Sequence, residues 1–262
     1  MSVPTTAPAA RRVEHVMGMP VSLALRGRHA TGPHADAAWE RALAELRRVD
    51  AVFSTYRTGS WVSRLGRGEV GPDECPPEVR EVLALGEAAR VASGGAFDVR
   101  RPGPDGTVVL DPSGVVKGWA VERALHAFDA LDGTDVCLSA GGDLACRTRA
   151  EGSPGWRIGV EDPHDPTRVL AVVPVRDGAV ATSGLAHRGA HIVDPRTGAV
   201  PTSLASVTVV GPDLTWADID ATTAFVLGDD ALTWLAGRPG EVGVVVRADG
   251  TASTFGDAAG RG

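Results

Sequence analysis

Residues 135–149 read DVCLSAGGDLACRTR, with a Gly-Gly-Asp turn between two largely apolar segments. Short apolar segments separated by glycine-containing turns are typical of β-strands joined as hairpins. Strands are therefore predicted at 135–140 and 144–149, and the same pattern continues along the second half of the chain. Further strands are predicted at 156–161, 169–176, 179–182, 190–194 and 205–211, with a hairpin at 242–248 and 251–255.

Helices are predicted mainly before residue 132. Apolar residues at helical spacing indicate helices at 35–53, 77–92 and 116–131, after a strand at 20–27. Two more helices are predicted late in the chain, at 217–228 and 229–236. Because helices and strands follow one another without a βαβ repeat, the predicted fold class is α+β, with mixed or antiparallel sheets and flanking helices.

Domain organisation is predicted from the absence of repeats and linkers. We expect a disordered N-terminus over residues 1–12, which are rich in Pro, Thr and Ala, and one domain over residues 13–262. A division into two domains near residue 132, where the pattern changes, is the alternative.

Composition and charge exclude several classes of protein. The 262 residues include 26 basic and 33 acidic side chains, a net charge of -7, which argues against a nucleic-acid partner. No apolar run approaches the ~20 residues that a membrane-spanning helix needs. The three cysteines have no metal-binding spacing, and the N-terminus resembles no secretory signal. Reduced thiols and a cytoplasmic location are expected.

The only lysine of the chain, Lys117, lies near the predicted start of a helix in the segment DPSGVVKGWAVE, residues 111–122. The positive end of the helix dipole disfavours a lysine there unless an anion is bound. The segment is therefore a candidate phosphate or metal-phosphate site, although it lacks the Walker spacing.

Other segments carry candidate ligand contacts, each with a structural alternative. Tyr56 can stack on a flat ligand or pack in the core, and SGGAFD at 93–98 can approach a ligand or end a helix. AGGD at 140–143 can bind an anion or form a hairpin turn. His191 can act as a base near pH 7 or have a structural role. Asp218 and Thr222 share one helix face suited to Mg²⁺, or Asp218 caps the helix.

Taken together and in order, these motifs resemble the FAD:protein FMN transferase (ApbE, flavin transferase) family. The resemblance extends from Met17 to about Gly228 and is most specific in DPRTG, residues 194–198, and in the Lys117 segment. It implies a single ApbE-like α+β domain related to the T-fold, with FAD as substrate and Mg²⁺ as cofactor. The implied reaction moves FMN onto a Thr or Ser hydroxyl of an acceptor flavoprotein and releases AMP.

The resemblance also implies a set of site residues. Mg²⁺ would be bound by Asp218, Thr222 and the carbonyl of Gly114, and His191 and Asp218 are the implied catalytic residues. The implied flavin-nucleotide contacts are Met17, Tyr56, Ala96, Phe97, Asp98, Asp111, Lys117, His191 and Val193.

The chain departs from the family pattern at four positions: Met19, Arg100, Glu122 and Asp220. Asp220 is expected to add negative charge near the metal. Three other functions remain open: an FAD pyrophosphatase that uses water in place of the acceptor, a non-catalytic FAD-binding protein, and a structural domain without a ligand.

Overall fold

The computed structural model describes residues 9–103, 106–185 and 192–256 of the chain. The strands within these ranges are β1 (Ala10–Val16), β2 (Met19–Gly27), β3 (Arg100–Pro102), β4 (Val108–Leu110), β5 (Thr134–Ala140), β6 (Asp143–Arg147), β7 (Trp156–Asp162), β8 (Asp165–Val175), β9 (Gly178–Gly184), β10 (Leu204–Gly211), β11 (Val242–Arg247) and β12 (Ala252–Phe255).

The helices begin and end close to the predicted residues in most cases. Within the described ranges they are α1 (Pro33–Phe53), α2 (Trp61–Gly66), α3 (Pro77–Ala92), α4 (Ser113–Leu125), α5 (Leu214–Leu227) and α6 (Ala231–Ala236). The helices predicted at 35–53 and 77–92 are confirmed as α1 and α3. The third predicted helix starts earlier, as α4, and gives way after Leu125 to a single turn of 3₁₀ helix.

One eight-stranded sheet organises the molecule, in the order β1-β2-β5-β6-β9-β10-β11-β12, and its neighbouring strands are antiparallel. The strands β3 and β4 form a separate two-stranded sheet, as do β7 and β8. The α+β class with antiparallel sheets is thereby confirmed. Because β2 and β5 are neighbours, strands from both sides of residue 132 share one sheet, and no domain division occurs there.

The two faces of the large sheet pack against different elements. One face packs against α1, α4 and α5 around the main core, which contains Leu23, Leu138, Val207, Ile219 and Phe225. A smaller apolar cluster lies on the opposite face, where the base of the β7–β8 hairpin supplies Trp156 and Val175. No helix among the described residues is long and apolar enough to cross a bilayer.

Two further expectations differ from the structure. Residues 10–12 belong to β1, which pairs with β2 from Ala10 onward, so the disorder predicted for residues 1–12 is wrong for these three. The strand predicted at 190–194 is not present at 192–194, and residues 190 and 191 lie outside the described ranges. The local reason is the turn that follows, in which Gly198 N–H donates to the Asp194 carbonyl at 2.7 Å.

Candidate active site

The start of α4 is set by Asp111. Its carboxylate accepts hydrogen bonds from the Ser113 hydroxyl at 2.5 Å and from the Ser113 backbone N–H at 3.2 Å. This side-chain turn directs the chain into the helix. Arg101 Nε contacts the other carboxylate oxygen at 3.1 Å. Asp111 therefore positions the segment that carries Lys117, whatever ligand it also contacts.

Close packing of two helices places Lys117 beside α5. A Cβ atom at Gly118 would lie 2.7 Å from the carbonyl oxygen of Leu214, so the backbones of α4 and α5 are in direct contact there. The Glu122 carboxylate accepts the Leu214 N–H at 2.7 Å, which satisfies a free donor in the first turn of α5. Glu122, a departure from the family pattern, thus joins the two helices.

Lys117 is the centre of a buried ionic cluster contributed by three elements. Its ammonium group contacts the Asp143 carboxylate at the start of β6 and lies 3.2 Å from Asp218 Oδ1 on α5. Asp143 and Asp218 are 1% and 2% exposed. Asp143 Oδ1 also accepts the Thr182 N–H at 2.9 Å, which fixes the carboxylate against β9. Burial in a low-dielectric interior makes these charges interact strongly.

The predicted metal ligands converge on this cluster in part. Thr222 follows Asp218 by one turn of α5, and its hydroxyl is 2.9 Å from the Ser183 hydroxyl of β9. Gly114 lies one turn before Lys117 on α4. Carbonyls in a first helical turn already accept helical hydrogen bonds, so the Gly114 oxygen would offer a metal its second lone pair.

The donor set fits Mg²⁺ that is shared with a substrate. No group of three or more His, Cys, Asp or Glu side chains that could hold a metal occurs within residues 9–103, 106–185 and 192–256. A carboxylate and a hydroxyl on one helix face supply hard oxygen donors, and Mg²⁺ commonly combines one or two protein carboxylates with phosphate oxygens. Asp218 and Thr222 would hold such an ion.

The segment predicted to line the flavin packs against the start of α4. Ala96 and Phe97 are buried, and a Cβ atom at Gly114 would lie 3.2 Å from the Phe97 ring. The Asp98 carboxylate accepts the Arg100 N–H at 2.7 Å. A Cβ atom at Gly95 would lie 3.6 Å from Arg196 Cγ.

The DPRTG turn therefore lies next to the glycine turn of residues 93–95. Within it the Arg196 guanidinium is 2.9 Å from Asp194 Oδ2 and lowers the pKa of that carboxyl group.

Three of the remaining predicted contacts, Met17, Tyr56 and Val193, lie on separate loops. Tyr56 follows α1, and its side chain is 96% exposed, so it takes no part in the core. Met17 has a left-handed backbone with φ 56° in the turn between β1 and β2, and it packs partly buried against the main core. Val193 is half-buried, and His191 lies outside the described residues.

Two expectations about α5 are wrong. The helix begins at Leu214, and its N-cap is Asp213, whose carboxylate accepts the Trp216 N–H at 2.9 Å. Asp218 therefore lies in the second turn and does not cap the helix.

Asp220, expected near the metal, instead lies 3.0 Å from Arg238 Nε and interacts electrostatically with the Glu241 carboxyl group. Residues two apart on a helix point in different directions, which explains the separation. Burial raises the pKa of Asp220 to about 6, and burial together with the Asp220 charge raises that of Glu241 to about 8.

Sequence reasoning did not assign two residues of this site: Asp143, which belongs to the ionic cluster, and Ser183, whose hydroxyl contacts Thr222. Asp143 was noted only as part of a glycine turn, with an anion-binding nest as one interpretation. The turn between β5 and β6 is a hairpin turn, and Gly141 N–H donates to the Pro20 carbonyl at 3.1 Å. The signal available in the sequence was strand alternation, because Asp143 shares a face with the buried Ala145.

The fold is an antiparallel sheet with helices on one face, and where those helices meet a lysine is held by two buried carboxylates. These features define an α+β protein with an ionic site. Residues 17–101 and 100–246 match the sequence profile of the ApbE family, and the chain belongs to that family.

Curated relatives include the FAD:protein FMN transferases of Haemophilus influenzae and Treponema pallidum. They are 32% identical over 135 residues and 33% identical over 137 residues, which is 47% and 45% of this chain. The matched segment spans 39% and 38% of those relatives' length.

Solved structures of the family share the fold along nearly the whole chain. The ApbE protein of Thermotoga maritima superposes with a TM-score of 0.79 at 23% identity, covering 94% of this chain and 96% of that one. The flavinyl transferase ApbE of Pseudomonas stutzeri, in its apo form, gives a TM-score of 0.78 at 24% identity, covering 98% and 97%. The predicted family and fold are therefore confirmed.

Proposed function

We propose that this chain is a Mg²⁺-dependent FAD:protein FMN transferase, which moves the FMN part of FAD onto a Thr or Ser hydroxyl of an acceptor flavoprotein and releases AMP. The observation that carries the proposal is the Lys117 ammonium between two buried carboxylates, one of them Asp218, one turn from Thr222. Relatives that match about half of the chain are named FAD:protein FMN transferase, which supports this proposal.

The charge of the cluster explains why a divalent cation accompanies the substrate. One ammonium group between two carboxylates leaves a net negative charge, and the FAD diphosphate brings two more negative charges. Mg²⁺ bound by Asp218, Thr222 and the Gly114 carbonyl would offset this repulsion and polarise the phosphorus. Lys117 would contact the same phosphates as a point charge.

The reaction is a substitution at the phosphorus of the FMN half. A bond forms from the acceptor oxygen to that phosphorus, and the bond to the AMP oxygen breaks, so that AMP leaves with the electron pair. The acceptor proton passes to His191 or to a carboxylate beside the metal. The exposed Tyr56 and the Phe97 segment would bind the flavin ring.

A direct test measures AMP release from FAD with and without a candidate acceptor flavoprotein, together with the mass of that acceptor. We expect AMP and an acceptor gaining one FMN, both abolished by a chelator and restored by Mg²⁺. Asp218→Asn should lower the rate by roughly 10²–10³-fold, the loss typical of removing one key electrostatic contact. The matched control is Asp230→Asn, an exposed carboxylate that should leave the rate unchanged.

The outcomes separate the alternatives. AMP and FMN released without acceptor labelling would assign the same site to an FAD pyrophosphatase. FAD binding with no AMP release would indicate a binding protein, and no FAD-induced rise in melting temperature would indicate a structural domain.

We also propose a cytoplasmic location, which the three free cysteines support.

A further inference from the structure

Cys137 and Cys146 face each other across the β5–β6 hairpin. The Gly141 N–H donates to the Pro20 carbonyl and therefore points towards β2. Because N–H groups alternate in direction along a strand, the Cys137 N–H, four residues earlier, also points towards β2 and away from β6. The two cysteines thus form a pair without direct backbone hydrogen bonds between them. Cα atoms in such pairs are about 4.5 Å apart, near the short end of the ~4.4–6.8 Å range of disulfides.

The pair lies on the face of the sheet opposite the ionic cluster. Cys137 and Cys146 pack into the small apolar cluster with Trp156 and Val180. Cys146 is fully buried, whereas Cys137 is partly exposed. A reagent from solution can therefore reach Cys137 first.

The surroundings also give the two thiols different reactivity. The adjacent Cys146 thiol lowers the pKa of the Cys137 thiol, and the nearby Arg11 and Arg26 guanidinium groups lower it further, against the effect of burial. The neighbouring Cys137 thiol and burial raise the pKa of Cys146. A partly exposed thiol of lowered pKa beside a second thiol is the arrangement of redox-sensitive cysteine pairs.

We propose that Cys137 and Cys146 are a reversible dithiol–disulfide site, oxidised by a low-molecular-weight disulfide such as oxidised glutathione. The Cys137 thiolate attacks one sulfur of the reagent, and one glutathione thiolate leaves. Cys146, losing its proton, then attacks the Cys137 sulfur and releases the second glutathione. The two protein thiols are oxidised, and the reagent is reduced to two thiols.

Cys75 is the internal control. It is 3% exposed, its thiol donates to the Gly71 carbonyl at 3.5 Å, and burial raises its pKa. It lies before α3, whereas the pair lies in the β5–β6 hairpin. We expect Cys75 to remain a thiol under conditions that oxidise the pair.

The test treats the folded protein with oxidised glutathione, removes the oxidant, alkylates the remaining thiols in urea and maps the peptides by mass spectrometry. The expected result is a loss of free thiols from three to one, with a peptide linked through Cys137 and Cys146 and an alkylated Cys75. Dithiothreitol should restore all three. The proposal would be overturned if no linked peptide formed, or if it formed only when the oxidant was added to protein already unfolded in urea.

Two variants test the order of attack. Cys146→Ser should accumulate a stable glutathione adduct on Cys137, because the second thiol is missing. Cys137→Ser should form no adduct on the buried Cys146. Equal adduct formation in both variants would contradict the assigned roles, and the wild-type peptide map decides the existence of the site if either variant fails to fold.

Discussion

Replacing Lys117 by methionine should destabilise the protein far more than removing an ordinary surface charge. The ammonium group touches Asp143 and Asp218, whose side chains are 1% and 3% exposed, while Lys117 itself is 16% exposed. Methionine keeps most of the aliphatic length and removes the charge. The substitution therefore leaves two buried carboxylates facing each other without the cation between them.

The magnitude follows from this geometry. Because both carboxylate oxygens contact one nitrogen, they are roughly 5 Å apart, and at an effective dielectric constant of about 20 their repulsion is about 3 kcal/mol. Removing one partner of a buried ionic group typically costs about 3–5 kcal/mol. We expect Lys117→Met to lower the free energy of unfolding by that amount, and the second substitution Asp143→Asn to recover about 3 kcal/mol of it.

Urea denaturation followed by tryptophan fluorescence measures both effects, since Trp119 lies two residues from Lys117 on α4. The control is Arg90→Met, which breaks an exposed ion pair with Glu87 at 2.7 Å and should leave the stability nearly unchanged, because solvent screens the exposed charges. Equal stability of Lys117→Met and the wild-type protein, or no recovery in the double variant, would refute the ionic cluster.

Three further predictions concern other positions. Gly118→Ala should lower the free energy of unfolding by about 1–3 kcal/mol in a urea titration, because its Cβ would lie 2.7 Å from the Leu214 carbonyl oxygen. Gly59→Ala is the control, since a Cβ atom at Gly59 would have no neighbour within 4 Å. Glu241, with its pKa raised to about 8, favours folding when protonated, so stability should fall as pH rises from about 4.5 to 8. Glu241→Gln should flatten that dependence in thermal melts, and an unchanged slope would contradict it. Tyr56→Ala should weaken FAD binding by roughly 2- to 10-fold in a fluorescence titration without changing the melting temperature, because the side chain is 96% exposed; a lower melting temperature would show a structural role instead.

The regular elements could be predicted largely because their signals are local. α1 and α3 bury one face along their whole length, so apolar spacing located them within about two residues. β1 was missed because only Val16 of its seven residues is buried, and its polar sequence carries no strand pattern. It is held by pairing with β2, which no local signal reveals.

The start of α5 was misplaced for a related reason. Asp213, Asp218 and Asp220 are all acceptable caps, and the sequence does not distinguish them. The choice is made in three dimensions, where Gly118 lets α4 approach Leu214 and Glu122 accepts its N–H. Asp220 was assigned to the metal side for the same lack of information, and its contact with Arg238 is a tertiary one.

Only some features of the candidate site could be predicted from local sequence, and the others depend on tertiary contacts. The order of short motifs was enough to indicate the family, and the helix position of the only lysine indicated an anion site. A buried carboxylate such as Asp143 gives no local sign of its role, since its partner is 26 residues away in the chain.

The amino-acid sequence by itself therefore determined most helices, most strands and the family, and it singled out Lys117 as a candidate site residue. Only the tertiary structure decided which carboxylates surround that cation, which aspartate caps α5, and that Cys137 faces Cys146. The physical reason is that periodicity and capping act over a few neighbouring residues. Ion pairs and strand register depend instead on which distant segments share the same buried volume.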